Sequence, residues 1–355
     1  MPLLLADVPG HLRDLGSPFK VPYGLTIAAK VCILSRISVE GNVTMKTEIV
    51  LLTPIHEPTM AELDAMFTMH RAWEAKDQAG LLRDLRDRVR AIVTAGHFGC
   101  KAEVMDALPK TEIIACFGVG VDAVDLPAAK QRGIPVTNTP DVLTECVADL
   151  GLVLLLSIAR RIPQADRYVR AGKWLEDAFP LCQFVGGKLL GIVGLGRIGM
   201  AVAKRAEAFG MKIAYFGPHK KPVPYAHFTD LRKMAAEVDF LILTCPGGAE
   251  TKNLINAEVL KALGPEGTLV NISRGTVVDQ AAMVRMLRDG SLGAAALDVF
   301  QGEPKVPEEL LGLDNVVLSP HQGSGTHETR KAMGDLVVGN LKAHFAGKPL
   351  LTRLV

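Results

Sequence analysis

Short apolar runs alternate with amphipathic stretches along most of this 355-residue chain. From Met45 the order is EIVLLTP, a helical stretch to Arg90, AIVTAG, a helix near 101–108, TEIIACFG, a helix near 126–132, and IPVTN. A long apolar stretch, Leu143 to Arg160, is predicted to form a buried helix, and a second series of alternating elements follows it. Alternation of strands with helices is typical of parallel sheets. The pattern therefore predicts an α/β protein with two parallel-sheet units.

The second unit opens with a glycine-rich turn. Gly194, Gly196 and Gly199 are spaced as G-x-G-x-x-G between the apolar strand LLGIVG and a helical stretch at 200–209, and the strand MKIAYF follows. The first glycine permits a tight turn, the second lets backbone amides approach a pyrophosphate, and the third lets helix pack on strand. Because the motif lies in a strand-helix-strand unit, it predicts a dinucleotide site.

Three residues downstream carry candidate chemistry. Arg274, Glu303 and His321 each follow an apolar run predicted to be a buried strand, at 268–272, 294–298 and 316–319. The carboxyl ends of parallel strands meet at one rim of the sheet, where ligands bind. Taken singly, the arginine is typical of a surface or capping position, the glutamate of a turn and the histidine of a solvated loop. Their shared placement predicts that one cleft collects all three.

These residue types match the demands of reducing a 2-oxo acid with a nicotinamide. A histidine, with an unperturbed pKa of about 6.5, can deliver a proton near neutral pH. A carboxylate that is hydrogen-bonded to the histidine orients the ring and stabilises the imidazolium. The planar guanidinium of arginine can bind a substrate carboxylate and polarise the adjacent carbonyl. The three types together favour an enzyme.

Composition and charge exclude several other classes. A net charge of +2 argues against a nucleic-acid binder, and RDLRDRVR, the nearest candidate for a basic surface, alternates in sign and is predicted to be a solvated helix face. The six cysteines form no C-x-x-C pair and no cluster with histidine, so no metal site is predicted and a reducing cytoplasm is favoured. The most apolar stretch, 150–159, is too short to cross a bilayer, so no membrane partner is expected.

The domain organisation follows from the same pattern. Residues 1–44, rich in proline and glycine without a sustained period, are predicted to be an irregular extension, with Met45 as the functional start. Residues 45–142 together with 322–355, which end in a closing helix, are expected to form a substrate-binding domain. Residues 143–321 are expected to form the dinucleotide-binding domain. The chain is thus predicted to hold two Rossmann-like or flavodoxin-like domains with an active-site cleft between them.

Six motifs give the sequence a family resemblance. It resembles the D-isomer-specific 2-hydroxyacid dehydrogenases, and among them it is most similar to the glyoxylate/hydroxypyruvate reductases. The motifs are FGVGVDAVD at 117–125, PVTNTPDVLTECVADLGLVLLL at 135–156, VGLGRIG at 193–199, VNISRGTVVD at 270–279, ALDVFQGEP at 296–304 and LSPHQGSGT at 318–326. The resemblance covers essentially the whole chain from Met45 to the C-terminus. The resemblance implies reduction of a small 2-oxo acid to the D-2-hydroxy acid, or the reverse oxidation.

The resemblance also implies residue roles. Arg274 would bind the substrate, Glu303 would orient His321, and His321 would donate the proton during reduction. The backbone amides of Val119 and Gly120 would complete the carboxylate site as an anion nest. Asp298 would bind the nicotinamide carboxamide, although a buried carboxylate that only caps its own loop is the alternative. The implied cofactor contacts are Gly194, Gly196, Arg197, Ile198, Gly199, Gly217, His219, Lys220, Lys221, Cys245, Pro246, Ile272, Asp298, His321 and Gly323.

The cofactor preference depends on the end of the strand MKIAYF. Proteins specific for NAD usually place an acid there to bind the ribose 2′-hydroxyl. This chain instead reads Gly217-Pro218-His219-Lys220-Lys221, whose cations favour a 2′-phosphate and hence NADP. Many relatives that prefer NADP place Arg, Ser or Thr directly after the strand, and Pro218 departs from that pattern. A solvated turn that leaves NAD usable as well is the alternative.

The pocket wall, the apolar helix and the functional class each allow more than one interpretation of the sequence. The far wall of the substrate pocket is expected from loops near His56, His97 to Cys100 and the region after Trp174, which also allows larger acids such as 2-ketogluconate. By resemblance, Leu143 to Arg160 and the loop around Trp174 form the arm of a homodimer, although an apolar helix of that length is also typical of a core. A non-catalytic, dinucleotide-sensing corepressor is the alternative from another functional class.

Overall fold

The computed structural model describes residues 46–355. The predicted extension at 1–44 and the predicted start at Met45 lie outside the described residues. Residues 46–355 contain two sheets in which every strand pairing is parallel. None of the helices in this range is both long and apolar enough to cross a bilayer.

The first sheet has five strands in the order β2-β1-β3-β4-β5. Its strands are β1 (Glu48–Leu51), β2 (Thr68–Arg71), β3 (Val89–Ala95), β4 (Ile113–Phe117) and β5 (Val136–Thr137). Its connecting helices are α1 (Glu57–Met66), α2 (Gln78–Asp84), α3 (Ala102–Ala107) and α4 (Leu126–Gln131). The strand order reverses between β1 and β3, and the loops after those strands open a crevice where ligands bind in such sheets.

The second sheet has seven strands in the order β12-β11-β10-β9-β6-β7-β8. Its strands are β6 (Leu189–Val193), β7 (Lys212–Phe216), β8 (Ala226–Phe228), β9 (Phe240–Leu243), β10 (Thr268–Asn271), β11 (Ala294–Leu297) and β12 (Val316–Leu318). Its helices are α7 (Arg197–Ala208), α8 (Leu231–Glu237), α9 (Ala257–Leu263), α10 (Gln280–Asp289) and α11 (Glu308–Leu311). The order reverses between β6 and β9, so the glycine-rich turn lies at the expected crevice.

Three further helices connect or flank the sheets. They are α5 (Thr144–Ala159), α6 (Ile162–Arg170) and the C-terminal α12 (His327–Phe345). Helix α5 packs on α7 and on β10 to β12, and α12 packs on β4 and α1. The rings of Phe67 and Phe345 lie 5.7 Å apart in the latter contact. The closing helix therefore contacts the first sheet, as expected from the sequence, while the domain boundaries at 142/143 and 321/322 remain a prediction.

Local chemistry explains most of these elements. The central strands IIACF and FLIL are buried along their whole length, as strands covered by helices on both faces must be. Asp230, Asn256 and Asp279 accept backbone N–H bonds at the starts of α8, α9 and α10.

The prediction of one helical stretch from the first strand to Arg90 was wrong. The edge strand β2 interrupts it, and α2 ends at Asp84, so the segment RDLRDRVR runs from α2 through a turn into β3. Strand β2 has the sequence TMHR, in which only Thr68 is β-branched, and it lies at the edge of the sheet. Nothing in its local sequence indicates a strand, and the parallel pairing with β1 is what defines it.

Candidate active site

The three candidate residues extend from adjacent strands of the second sheet. Arg274 follows β10, Glu303 lies in the loop after β11, and His321 follows β12. All three line a cavity of about 990 Å³ that is also lined by loops of the first sheet, including Gly96 and Val119. The structure therefore brings together the cation, the carboxylate and the imidazole that the sequence placed at strand ends.

His321 and Glu303 form a direct pair. Nδ1 of His321 lies 2.7 Å from Oε2 of Glu303, and the other glutamate oxygen accepts a 2.9 Å bond from the backbone N–H of Phe300. Burial by itself raises the pKa of Glu303, but the bonds from His321 and Phe300 outweigh it and hold the pKa below its ordinary value. Glu303 is thus an ionised acceptor at neutral pH, which leaves Nε2 of His321 as the nitrogen that does not face the carboxylate.

Asp298 fixes the loop that carries His321. Its buried carboxylate accepts bonds from the hydroxyl of Ser319 at 2.6 Å and from the backbone N–H groups of Gln322 and Gly323 at 2.7 and 2.9 Å. Its backbone carbonyl accepts from the N–H of His321 at 2.8 Å. These bonds hold His321 at φ 53°, a left-handed conformation that costs a non-glycine residue of order 1 kcal/mol. Asp298 therefore caps its own loop while also lining the cavity.

Arg274 is held by a partner that the sequence did not reveal. Its Nε lies 3.1 Å from Oδ1 of Asp122, and its Nη1 donates a 2.8 Å bond to the carbonyl of Ser273. A Cβ at Gly120 would overlap Nη2, so this turn must be glycine for the guanidinium to approach it. Nη2 therefore faces the FGVGVD turn and takes part in neither of these two bonds.

Two amides of that turn are candidates for an anion site. Within residues 46–355 the N–H groups of Val119 and Gly120 donate no hydrogen bond, and both residues line the cavity with Arg274. The carbonyl of Val119 accepts from the side-chain amide of Asn138 at 2.9 Å, which fixes the orientation of the peptide. The arrangement can accept a carboxylate between two amides and a guanidinium.

Two more side chains enter the cavity. His97, which follows β3, lies with its ring centroid 6.1 Å from that of His321. Desolvation lowers the pKa of His97, and the facing His321 and Arg274 lower it further. Arg330, on α12, also lines the cavity. His97 was predicted to lie in the pocket wall and lines the cavity, whereas the predicted wall residues His56 and Trp174 do not. Arg330 and Asp122 were not predicted from the sequence.

The glycine-rich turn has the shape that a dinucleotide requires. Gly194 adopts φ 94°, and a Cβ there would lie 2.7 Å from the backbone of Cys245. A Cβ on Gly199 would lie 2.5 Å from the carbonyl of Gly194, whereas one on Gly196 would meet only open space. Helix α7 begins after Gly196 with no side-chain cap. Its free N–H groups and dipole suit a pyrophosphate, so the residues present fit the cofactor.

The predicted cofactor residues fall into two groups. Gly196, Arg197, Ile198, Cys245, Pro246, Ile272, Asp298, His321 and Gly323 line the cavity, whereas Gly194, Gly199, Gly217, His219, Lys220 and Lys221 do not. Gly194 and Gly199 instead shape the turn behind it.

The turn with the two lysines is exposed. Within residues 46–355 no carboxylate forms an ion pair with His219, Lys220 or Lys221. Their backbone is nevertheless fixed, because the N–H of Lys221 donates a 2.7 Å bond to the hydroxyl of Tyr215, a fully buried residue at the end of β7. His227 stacks on the ring of Tyr215, and its Nε2 lies 2.9 Å from the carbonyl of Gly217. A fixed backbone therefore presents one exposed histidine and two exposed lysines.

Comparisons with known proteins agree with this geometry. The family model described as D-isomer specific 2-hydroxyacid dehydrogenase, NAD binding domain, matches residues 152–323. A hydroxyphenylpyruvate reductase from Plectranthus scutellarioides is 50% identical over 308 residues, which cover 86% of this chain and 98% of that protein. A glyoxylate/hydroxypyruvate reductase from Arabidopsis thaliana is 48% identical over the same shares of both chains.

A solved structure is similar as well. It is an NADPH-dependent glyoxylate/hydroxypyruvate reductase from Sinorhizobium meliloti in complex with NADP and malonate. It matches with a TM-score of 0.81 and 44% identity, covering 87% of this chain and 97% of that chain. The match extends over both sheets of residues 46–355.

Proposed function

Since the chain belongs to the D-isomer-specific 2-hydroxyacid dehydrogenase family, we propose that it reduces a small 2-oxo acid, glyoxylate or hydroxypyruvate, to the D-2-hydroxy acid. The observation that carries this proposal is the convergence of Arg274, Glu303 and His321 on one cavity, with His321 bonded to Glu303 at 2.7 Å. Relatives named glyoxylate/hydroxypyruvate reductase at 48% and 44% identity support the substrate class.

The residues divide the chemistry among them. Arg274 and the amides of Val119 and Gly120 bind the substrate carboxylate, and the guanidinium polarises the neighbouring carbonyl. A bound nicotinamide dinucleotide supplies the hydride that C2 of the substrate accepts. Nε2 of His321 delivers the proton to the carbonyl oxygen, so the substrate gains one hydride and one proton in total. Glu303 orients the ring and stabilises the imidazolium before transfer.

The cofactor is a nicotinamide dinucleotide, and we assign the preference to NADP. Support comes from His219 and the two lysines at 220–221, the absence of an acid at the end of β7, and the NADP complex of the similar reductase. The lysines are exposed point charges rather than bidentate forks, so the discrimination against NAD is expected to be modest.

A homodimer is part of the proposal. The segment from α6 to residue 184 exposes large apolar side chains, among them Trp174, Phe184, and Leu175 and Leu181 at 93% and 100% exposure. Contiguous exposed apolar surface of this kind is typical of an interface. Sedimentation equilibrium of the purified protein tests the assembly, and a monomer at micromolar concentration contradicts it.

A larger 2-oxo acid is the second candidate substrate. The cavity of about 990 Å³ includes the space for the nicotinamide, yet it is open enough for a bulkier side chain, and a relative at 50% identity is named hydroxyphenylpyruvate reductase. 2-Ketogluconate belongs to the same size class.

Cofactor oxidation at 340 nm tests these alternatives together. NADPH and NADH are each compared against glyoxylate, hydroxypyruvate, pyruvate, hydroxyphenylpyruvate and 2-ketogluconate. Fast NADPH oxidation with the two small acids is expected, and loss of most turnover in Arg274→Ala with unchanged NADPH binding assigns the activity to this site. If only the bulky acids are turned over, the substrate is a larger 2-oxo acid rather than glyoxylate or hydroxypyruvate. Cofactor binding without any turnover favours the corepressor class.

A further inference from the structure

Arg330 is a cation without a partner inside the cavity. It lies on α12, is partly buried, and lines the same cavity as Arg274 and His321. Its guanidinium carbon lies 5.7 Å from the centroid of the Phe117 ring. Within residues 46–355 the guanidinium donates no hydrogen bond and forms no ion pair, so the ring face is its main contact.

The other two arginines of the cavity are neutralised. Arg197 lies 2.8 Å from a carboxylate oxygen of Asp141, and Arg274 lies 3.1 Å from one of Asp122. The protein thus supplies a counter-charge for the arginine that faces the predicted pyrophosphate and for the one that faces the predicted carboxylate site. Within residues 46–355 no carboxylate forms an ion pair with Arg330.

The position is unfavourable for a cation in the absence of a ligand. Burial lowers the pKa of Arg330, and the attraction of the more distant Asp298 carboxylate offsets that effect only in part. Arg330 is also the fourth residue of α12, close to the positive end of the helix dipole, which disfavours cations. A partly buried charge with these two costs is expected to find its stabilisation in a bound acceptor.

The direction from which Arg330 enters decides which acceptor it meets. Arg274 and His321 come from loops of the second sheet, whereas α12 packs on β4 of the first sheet and brings Arg330 in with His97. In the proposed function, Arg274 and the FGVGVD turn occupy the carboxylate and His321 occupies the C2 oxygen. The remaining polar atom of hydroxypyruvate is its C3 hydroxyl.

We infer that Arg330 is a specificity-determining residue that binds an oxygen on C3 of the 2-oxo acid, so that the site selects hydroxypyruvate over pyruvate and glyoxylate. This inference rests on the proposed function. A site built to bind a substrate oxygen discriminates strongly against the analogue that lacks it, because the buried donor is then left unpaired.

The test compares Arg330→Met with the unchanged protein. Methionine keeps an apolar chain against Phe117 while removing the charge and the donors. The kcat/KM for hydroxypyruvate is expected to fall by about 10- to 100-fold, the loss that corresponds to a hydrogen bond to a charged group. The kcat/KM for pyruvate and for glyoxylate is expected to change by less than about threefold, since neither has the C3 oxygen. Arg330→Lys is expected to restore part of the preference.

Arg90→Met is the matched control. Its guanidinium also lies over a phenylalanine ring, Phe345 at 5.1 Å, but it does not line the cavity. This variant is expected to keep both the activity and the substrate preference. NADPH binding, followed by quenching of tryptophan fluorescence, confirms that each variant is folded.

The other possible outcomes either overturn the inference or separate its failure from that of the proposed function. An equal loss for all three acids assigns Arg330 to the shared carboxylate and overturns the inference, as does no loss at all. If the unchanged protein reduces none of the acids, the proposed function fails first. Calorimetric titration in the presence of NADP then still tests Arg330: tighter binding of D-glycerate than of D-lactate, lost in Arg330→Met, supports it, and equal binding overturns it.

Discussion

The loop that carries His321 and the turn that carries His219, Lys220 and Lys221 both follow strands of the seven-stranded sheet, yet the protein holds them differently. In the first, the carboxylate of Asp298 accepts three hydrogen bonds and the carboxylate of Glu303 faces the ring directly. In the second, the backbone is fixed through Tyr215, whereas the side chains of His219, Lys220 and Lys221 lie exposed.

The difference matches the two proposed roles, which are proton transfer for the first loop and binding of a 2′-phosphate for the second. In the proposed function, proton transfer needs an imidazole in one orientation, and several buried polar groups hold the loop of His321 in place. The proposed recognition of a 2′-phosphate requires nearby positive charge, which exposed lysines can supply as point charges. Changes in the first region are therefore expected to alter rate by orders of magnitude, and changes in the second to alter affinity by much less.

Removing the imidazole gives the largest expected effect. His321→Gln is expected to lower kcat by about 10³-fold, because a positioned general acid contributes about 10²- to 10⁴-fold. The dissociation constant for NADPH is expected to stay within about threefold of the value for the unchanged protein. The substitution leaves intact the glycine-rich turn, which is proposed to bind the pyrophosphate. His327→Gln, at the exposed start of α12, is the matched control. Residual activity of His321→Gln above a tenth would rule out its role as proton donor.

Neutralising the orienting carboxylate is expected to be the next largest change. Glu303→Gln should lower kcat by about 10²-fold at neutral pH, because the amide no longer stabilises an imidazolium. Steady-state rates at saturating substrate measure this effect. A variant as active as the unchanged protein at pH 7 contradicts the orienting role.

The same variant has a predicted signature in stability. Since folding lowers the pKa of Glu303, the ionised carboxylate stabilises the folded state above its ordinary pKa of about 4.3, and this contribution disappears as pH falls through the lower folded-state value. Urea denaturation is therefore expected to show Glu303→Gln less stable than the unchanged protein near pH 6. The gap should narrow below about pH 4. A gap that widens on acidification would reverse the assigned direction of the pKa shift.

Releasing Arg274 from its partner is expected to have an intermediate effect. Asp122→Asn removes the charge that faces Nε of Arg274, so KM for the 2-oxo acid should rise about tenfold while kcat changes less. The control Asp106→Asn removes an equivalent arginine partner on the surface, where Asp106 lies 2.6 Å from Arg132. A change in kcat alone, with KM unaltered, would mean that Asp122 does not position the arginine for binding.

The sequence predicted most of the strands, and the convergence of three candidate residues on one cavity, because both leave local signals. Each of Arg274, Glu303 and His321 follows an apolar run, and parallel strands end at a common rim. The glycine-rich turn could also be predicted, because the spacing of its glycines reflects close contacts within the turn itself, such as that of Gly199 with the carbonyl of Gly194. Strand β2 was missed, since an edge strand of four residues is defined by its partner rather than by its own composition.

Contacts between distant parts of the chain could not be predicted in the same way. Asp122 and Arg274 are 152 residues apart, so their pairing depends on how the first and second sheets face each other. Arg330 left a weak signal: a cation near the N-terminus of a helix, nine residues after His321 (330 minus 321), contradicts the usual charge preference. Violations of local rules are where functional residues are expected.

The turn after β7 gives the smallest expected effect and the sharpest contrast with the His321 loop. The double substitution Lys220→Ala and Lys221→Ala is expected to weaken NADPH binding by about three- to tenfold, because exposed lysines contribute modest, salt-dependent attraction. NADH binding, with a 2′-hydroxyl in place of the phosphate, should not change. Lys212→Ala, an exposed lysine at the start of β7, is the control of equal charge for each substitution. Equal weakening of both cofactors would place the lysines against the shared pyrophosphate, and no weakening at all would make the turn a solvated surface feature, leaving His219 or backbone groups to set the preference.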